Sequence, residues 1–166
     1  MLRRFGSAIG FVFVVAVFLS GCGGKPIVGV IWPTTGAAAS YGESVDSGIR
    51  IALSDARERG TLPTGFEVVW ADSGSDPNRA VAELRAMVEE KGVKMVIGAV
   101  ISDEAVAMIP ELEELDIVCL SPSASAPGLA KRSRLFFRIY PSDELEGHTA
   151  ANFLYERLRK REVLLF

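Results

Sequence analysis

Residues 93–121 read VKMVIGAVISDEAVAMIPELEELDIVCLS, three segments of different character in close succession. Residues 93–100 form an apolar run of strand length, the pattern of a strand covered on both faces. Residues 103–115 predict a helix and residues 117–121 a second apolar strand. Two residues join the first strand to the helix and one joins the helix to the next strand. A strand, a helix and a strand connected this tightly pair in parallel through a right-handed crossover. The same beat extends in both directions. Upstream, residues 27–32 (IVGVIW) and 66–71 are apolar strands. Between them Val45, Ile49, Ala52, Leu53 and Ala56 fall on one helical face, with Gly60 as its stop. After the second strand, Asp76 reads as an N-cap with Pro77 in the first helical position. Val81, Leu84, Met87 and Val88 make that helix amphipathic, and Gly92 ends it. Downstream, residues 135–140 predict a further strand. Leu145, Phe153, Leu154 and Leu158 mark a last helix, and residues 163–166 open another strand. The expectation is an α/β fold: an open, doubly wound, mostly parallel sheet flanked by helices.

The chain has 166 residues and 49% hydrophobic content, enough for one domain with a real core. Part of that apolar content is targeting rather than fold. Arg3 and Arg4 precede an apolar run over residues 5–19, too short to span a membrane comfortably, and small residues follow. The tetrapeptide Leu19-Ser20-Gly21-Cys22 resembles the lipobox of bacterial lipoproteins, in which the cysteine thiol is acylated and becomes the first residue. Residues 1–21 are therefore expected to be a lipoprotein signal peptide and residues 22–26 a lipidated tether. Residues 27–166 would be the folded lobe, with Cys22 as the lipid attachment site. Removing residues 1–21 takes away two arginines and no acids, moving the formal charge from −3 to −5. An acidic body is a poor partner for nucleic acid. Cys119 lies in an apolar stretch and reads as a small buried hydrophobe. The chain stops on an opening apolar strand, which predicts a sequence truncated before its fold is complete.

In a doubly wound sheet, ligands bind beyond the carboxyl ends of the strands. Three loops at that edge are rich in hydroxyls. Residues 33–42 read PTTGAAASYG; residues 98–103 (GAVISD) place Ser102 at a helix start; residues 121–127 read SPSASAP. Singly, a serine at a helix start is most often a cap and a Ser/Pro/Ala loop only a loop. Jointly, their placement on one rim favours a small polar head group, with helix N-terminal amides suited to a carboxylate. Enzyme readings lack support: the chain has no G-x-S-x-G elbow, phosphate loop or dinucleotide glycine fingerprint. His148 is the only histidine and falls on the last helix, and no Cys/His cluster has metal spacing. Asp72 and Asp76 invite a receiver-domain reading, but the signal peptide argues against a cytoplasmic phosphoacceptor, and loop geometry explains them more simply.

With these motifs in place, the chain resembles the N-terminal lobe of the leucine/isoleucine/valine-binding family, type I periplasmic receptors of ABC transporters. The resemblance runs through PTTGAAASYG, DSGSDPNRAV, VIGAVIS, LSPSASAP and TAANFLYERLRKREVLLF. It implies that Ser102, Ser123 and Ser125 grip the ligand's carboxylate and ammonium and that Tyr41 walls the cleft. It further implies an extracytoplasmic, lipid-anchored substrate-binding protein of an ABC importer, not an enzyme. Such a receptor binds a small polar, amino-acid-like or amide solute between two lobes, partners a transporter permease, and needs no cofactor or metal. Two departures stand out. Some relatives carry a disulfide where this chain has Ser75 and Ile101. Asp103 and Glu104 follow Ser102, which is awkward beside a carboxylate unless they face solvent or cap the helix. An alternative from another class is a regulatory or scaffolding envelope lipoprotein of the same fold that binds a protein partner. A weaker third is the sensor module of a membrane receptor.

Overall fold

The computed structural model describes residues 25–164. The signal segment and Cys22 lie outside the described residues, as do residues 165–166. Five strands run in the order β2-β1-β3-β4-β5, and every pairing is parallel. They are β1 (Ile27–Trp32), β2 (Glu67–Asp72), β3 (Met95–Gly98), β4 (Val118–Ser121) and β5 (Phe136–Arg138). The helices are α1 (Ala39–Glu58), α2 (Pro77–Lys91), α3 (Ser102–Leu115) and α4 (Asp143–Asn152), the last running on as a π-turn over Phe153–Arg157.

Strand order decides which face each helix covers. The step from β1 to β2 runs one way across the sheet, and the steps from β2 to β3 and β4 run the other way. Right-handed crossovers then place α1 on one face and α2 with α3 on the opposite one. The burial pattern follows. Leu84, Met87, Met108 and Leu112 from α2 and α3 close over Ile31, Val96, Cys119 and Phe136 in one core cluster. On the other face Val45 and Ile49 of α1 pack near Val30, Trp32, Val68, Trp70 and Ile97. Trp32 and Trp70 meet edge to face at 4.7 Å, and the Arg50 guanidinium lies 4.8 Å above Trp70. Beyond α1 an apolar groove of about 280 Å³ lies open between Val45, Ile49, Leu120 and Ile139. The direction of winding reverses between β1 and β3, so the loops after these strands flank the switch point at which such sheets bind ligands.

Local chemistry sets most helix ends as expected. The Asp76 carboxylate accepts from the amides of Asn78 (2.7 Å) and Arg79 (3.1 Å), Pro77 opens α2, and Gly92 closes it at φ 67°. α1 begins at Ala39, six residues before its apolar face opens at Val45, with the Ala38 amide held from outside by the Ser75 hydroxyl at 3.0 Å. One expectation needs correction. Val163 and Leu164, expected to open a strand, are exposed and irregular. An isolated strand with no neighbour to pair with does not form. The helix before it, α4, buries none of its residues.

Candidate functional site

The carboxyl ends of β1, β2, β3 and β4 lead into four loops on one edge of the sheet, and polar contacts join them in two pairs, those after β1 and β2 and those after β3 and β4. In the second pair, the Ser121 hydroxyl ends β4 by donating to the Ala99 carbonyl (2.7 Å) while accepting from the Ala124 amide (3.0 Å). The Ser123 hydroxyl donates to the Val100 carbonyl at 2.5 Å. Ser102, the first residue of α3, accepts from the Ala126 amide at 3.1 Å. These bonds bring Ser102, Ser123 and Ser125 to facing loops, all three half-buried and none sealed into the core. The Ser125 hydroxyl has no hydrogen-bond partner among the described residues, and its carbonyl accepts from the Asp143 amide at 3.0 Å. Tyr41 lies in the first turn of α1 with 64% of its surface exposed, and no contact ties it to the serines.

The role left open to each hydroxyl follows from the role already taken. A serine has one proton to give and two lone pairs to receive. Ser102 receives from Ala126, so its proton is free to donate. Ser123 donates to Val100, so its lone pairs are free to accept. Ser125 can do either. The three hydroxyls together offer a donor, an acceptor and an adaptable group within one patch.

The first two loops are clamped by a residue that the sequence suggested only as loop geometry. Oδ1 of Asp72 accepts from the amides of Thr34 (2.7 Å), Thr35 (3.2 Å) and Gly74 (2.9 Å), and Oδ2 accepts from the Thr35 hydroxyl (2.8 Å). Arg79 pairs with Oδ2 at 3.1 Å. Burial works against the charge, but the hydrogen bonds from Thr35, Gly74 and Thr34 outweigh it. They hold the carboxyl well below the usual carboxylate range. Ser75 reinforces the clamp, donating to the Thr35 carbonyl and accepting from the Ala38 amide, both at 3.0 Å. The approach is close enough that a Cβ at Gly36 would meet the Gly74 carbonyl at 2.3 Å.

Of the acids after Ser102, Asp103 is exposed, but Glu104 is fully buried. Burial pushes its carboxyl up, opposed by the nearby Ser73 hydroxyl and the amides of Ile101 and Val100 and assisted by the Asp72 charge. No contact meets hydrogen-bond geometry at either Glu104 oxygen or at the Ser73 hydroxyl, so burial prevails. The direction of that shift favours the uncharged form of Glu104. Its position was legible: Glu104, Met108 and Leu112 are spaced four apart on the buried stripe of α3. Cys119 is buried as expected, and burial pushes its thiol up to about 12. Among the described residues no group of three or more His, Cys, Asp or Glu side chains is placed to hold a metal ion.

The family model for periplasmic binding proteins matches residues 27–166. The chain belongs to that family. Among curated periplasmic binding proteins, it is 31% identical over 133 residues to the leucine-, isoleucine-, valine-, threonine- and alanine-binding protein of Pseudomonas aeruginosa, covering 79% of this chain and 35% of that one. It is 28% identical over 141 residues to a Leu/Ile/Val-binding protein of Rhizobium johnstonii, covering 83% and 38%. A solved structure of the branched-chain amino acid transporter substrate binding protein of Streptococcus pneumoniae, in complex with isoleucine, superposes with a TM-score of 0.74 at 25% identity, covering 82% of this chain and 39% of that one. A leucine binding protein of Thermotoga maritima gives 0.70 at 27% identity, covering 80% and 37%. The chain thus spans less than two fifths of the length of these relatives, and what it contains is the N-terminal lobe of the type I periplasmic-binding-protein fold.

Proposed function

We propose that this lobe is the first half of the substrate receptor of an ABC importer, and that it holds the charged head of an amino acid while a second lobe closes over the remainder. The observation that carries the reading is the complementary polarity of the serine rim. Ser102 has a proton to give, and the unpaired amides at the α3 N-terminus lie beside it, which suits a carboxylate. Ser123 keeps its lone pairs for an ammonium, and Ser125 serves either end. A zwitterion satisfies both kinds of group, whereas a simple anion leaves the acceptor unmatched. Each charge-assisted bond contributes about 1.5 to 3 kcal/mol, enough jointly to matter for a ligand of a few heavy atoms. Tyr41, exposed on the first turn of α1, is assigned to the cleft wall. The relatives named for leucine, isoleucine and valine support branched-chain amino acids as the first ligands to test.

The protein acts as a receptor rather than an enzyme, delivering solute to a permease from the outer side of the membrane. Cys22 carries the lipid anchor after residues 1–21 are removed. The decisive experiment is calorimetric titration of the product of the full gene with L-leucine, L-isoleucine and L-valine, supported by thermal shift. A ligand at 100 times its Kd adds about 2.7 kcal/mol to stability. If these three and a wider panel of amino acids and amides give neither heat nor shift, the reading fails. Incorporation of labelled palmitate that is lost in Cys22→Ser tests the anchor separately.

A further inference from the structure

Arg138 ends β5, in register with Ser121 at the end of β4. It alternates with Phe137 and therefore shares a face with buried Phe136. Its side chain is half-buried, yet no carboxylate among the described residues pairs with it. Instead Nη1 donates to the carbonyls of Ala124 (3.3 Å) and Ala126 (3.0 Å). These two carbonyls flank Ser125, whose own carbonyl is held by the Asp143 amide. On the opposite side of the same turn, the amides of Ala124 and Ala126 are held by the hydroxyls of Ser121 and Ser102. The turn is thus pinned along both edges, and the groups left without a partner among the described residues are the amide and the hydroxyl of Ser125. A half-buried guanidinium is costly to dehydrate, and two neutral carbonyls are a modest return unless the conformation they enforce matters.

We infer that Arg138 is a positioning residue for the ligand head group: it fixes the turn over residues 124–126 so that Ser125 is presented to the ligand, without touching the ligand itself. This rests on the proposed reading of Ser125 as a ligand contact, and the test separates the two. In the product of the full gene, Arg138→Met removes both donors while keeping the apolar stem, and Arg138→Lys returns a cation able to reach one carbonyl. Three quantities are read for each: the Kd for L-leucine by calorimetry, the melting temperature, and hydrogen exchange at the Ala126 amide by NMR.

Arg138→Met should weaken leucine by about tenfold, the scale of one charge-assisted bond, and speed Ala126 exchange by a similar factor. Arg138→Lys should recover part of both. Because Arg138 works through Ser125, the loss should largely vanish when Arg138→Met is made in a Ser125→Ala background, a coupling that a general loss of stability does not produce. Additive losses in that cycle, or wild-type affinity and Ala126 exchange in Arg138→Met, overturn the inference. Should Arg138→Met fail to fold, Arg138→Lys decides on the same readouts. If the wild type binds no amino acid, the proposed function fails, while Ala126 exchange still decides whether Arg138 holds the turn.

Discussion

Replacing Asp72 by asparagine tests whether the clamp between the first two loops is electrostatic. The side chain keeps its size, and its remaining oxygen can stay where Oδ1 accepts from Thr34, Thr35 and Gly74. What changes is the charge behind those three bonds and the group in place of Oδ2, which no longer accepts from the Thr35 hydroxyl and sets an N–H against that of Arg79. The ion pair itself counts for little, since Arg79 is about half exposed. Bonds to a carboxylate exceed those to a neutral amide by about 0.5 to 1 kcal/mol each, and water can replace part of the loss at exposed Thr34 and Thr35. The expected cost of Asp72→Asn is therefore about 1 to 2 kcal/mol, and Asp72→Ala, which removes every acceptor, should cost about 2 to 3. The pH dependence carries the sign. The folded-state pKa of Asp72 is depressed, so its contribution is present above the ordinary carboxylate value of 3.8 and is lost as pH falls through the folded value. Urea unfolding at pH 7 should show the full gap between wild type and Asp72→Asn, and the gap should shrink below pH 4. Equal stability at pH 7, or a gap that persists unchanged at low pH, refutes the electrostatic account.

Glu104 has the opposite sign. Its folded-state pKa is raised, so its contribution is complete below the unfolded carboxylate value and is lost as pH rises through the folded one. Glu104→Gln should accordingly melt above wild type at pH 8, with the advantage fading toward pH 4 in the same thermal scans. Gly42 sits where a Cβ would lie 1.7 Å from the Pro33 carbonyl oxygen. Gly42→Ala is thus expected to cost at least about 3 kcal/mol by urea unfolding, because the first turn of α1 must move off the end of β1. The Cys119 thiol, buried and pushed up to about 12, should react with a thiol reagent such as DTNB only at the rate of unfolding. A fast reaction in native buffer contradicts its burial.

The elements legible in the sequence are those whose partners are close along the chain. β1, β3 and β4 read as apolar runs because α2 and α3 cover one side of the sheet and α1 much of the other. Both ends of α2 were legible because Asp76, Pro77 and Gly92 act within a few residues of the groups they satisfy. The start of α1 was not, since the Ala38 amide just before it is held by Ser75, 37 residues away. The apolar residues that marked the last helix, Leu145, Phe153, Leu154 and Leu158, run from α4 through and past the π-turn, and α4 buries none of its residues, so periodicity predicted the helix and could not predict its packing. At the candidate site, the rule that ligands gather at strand carboxyl ends pointed to the hydroxyl-rich loops, and the family resemblance singled out Ser102, Ser123 and Ser125 within them. The polarity of each hydroxyl was beyond that rule, because it depends on whether a carbonyl or an amide faces it. Arg138 left no sequence signal, as its partners are backbone atoms that carry no residue identity.

The same backbone contacts bear on affinity. A serine on a free loop must be ordered when it binds, at about 0.5 to 1.5 kcal/mol per immobilised side chain. Here Ser102 and Ser123 are already oriented by Ala126 and Val100, and the turn carrying Ser125 is held by Arg138, Ser121 and Asp143. Asp72 and Ser75 do the same for the loop that leads into Tyr41. The entropy of ordering these loops is incurred when the lobe folds. On the proposed reading, the ligand therefore meets a head-group site that is largely formed before it arrives, and the ordering that remains at binding is that of the second lobe closing.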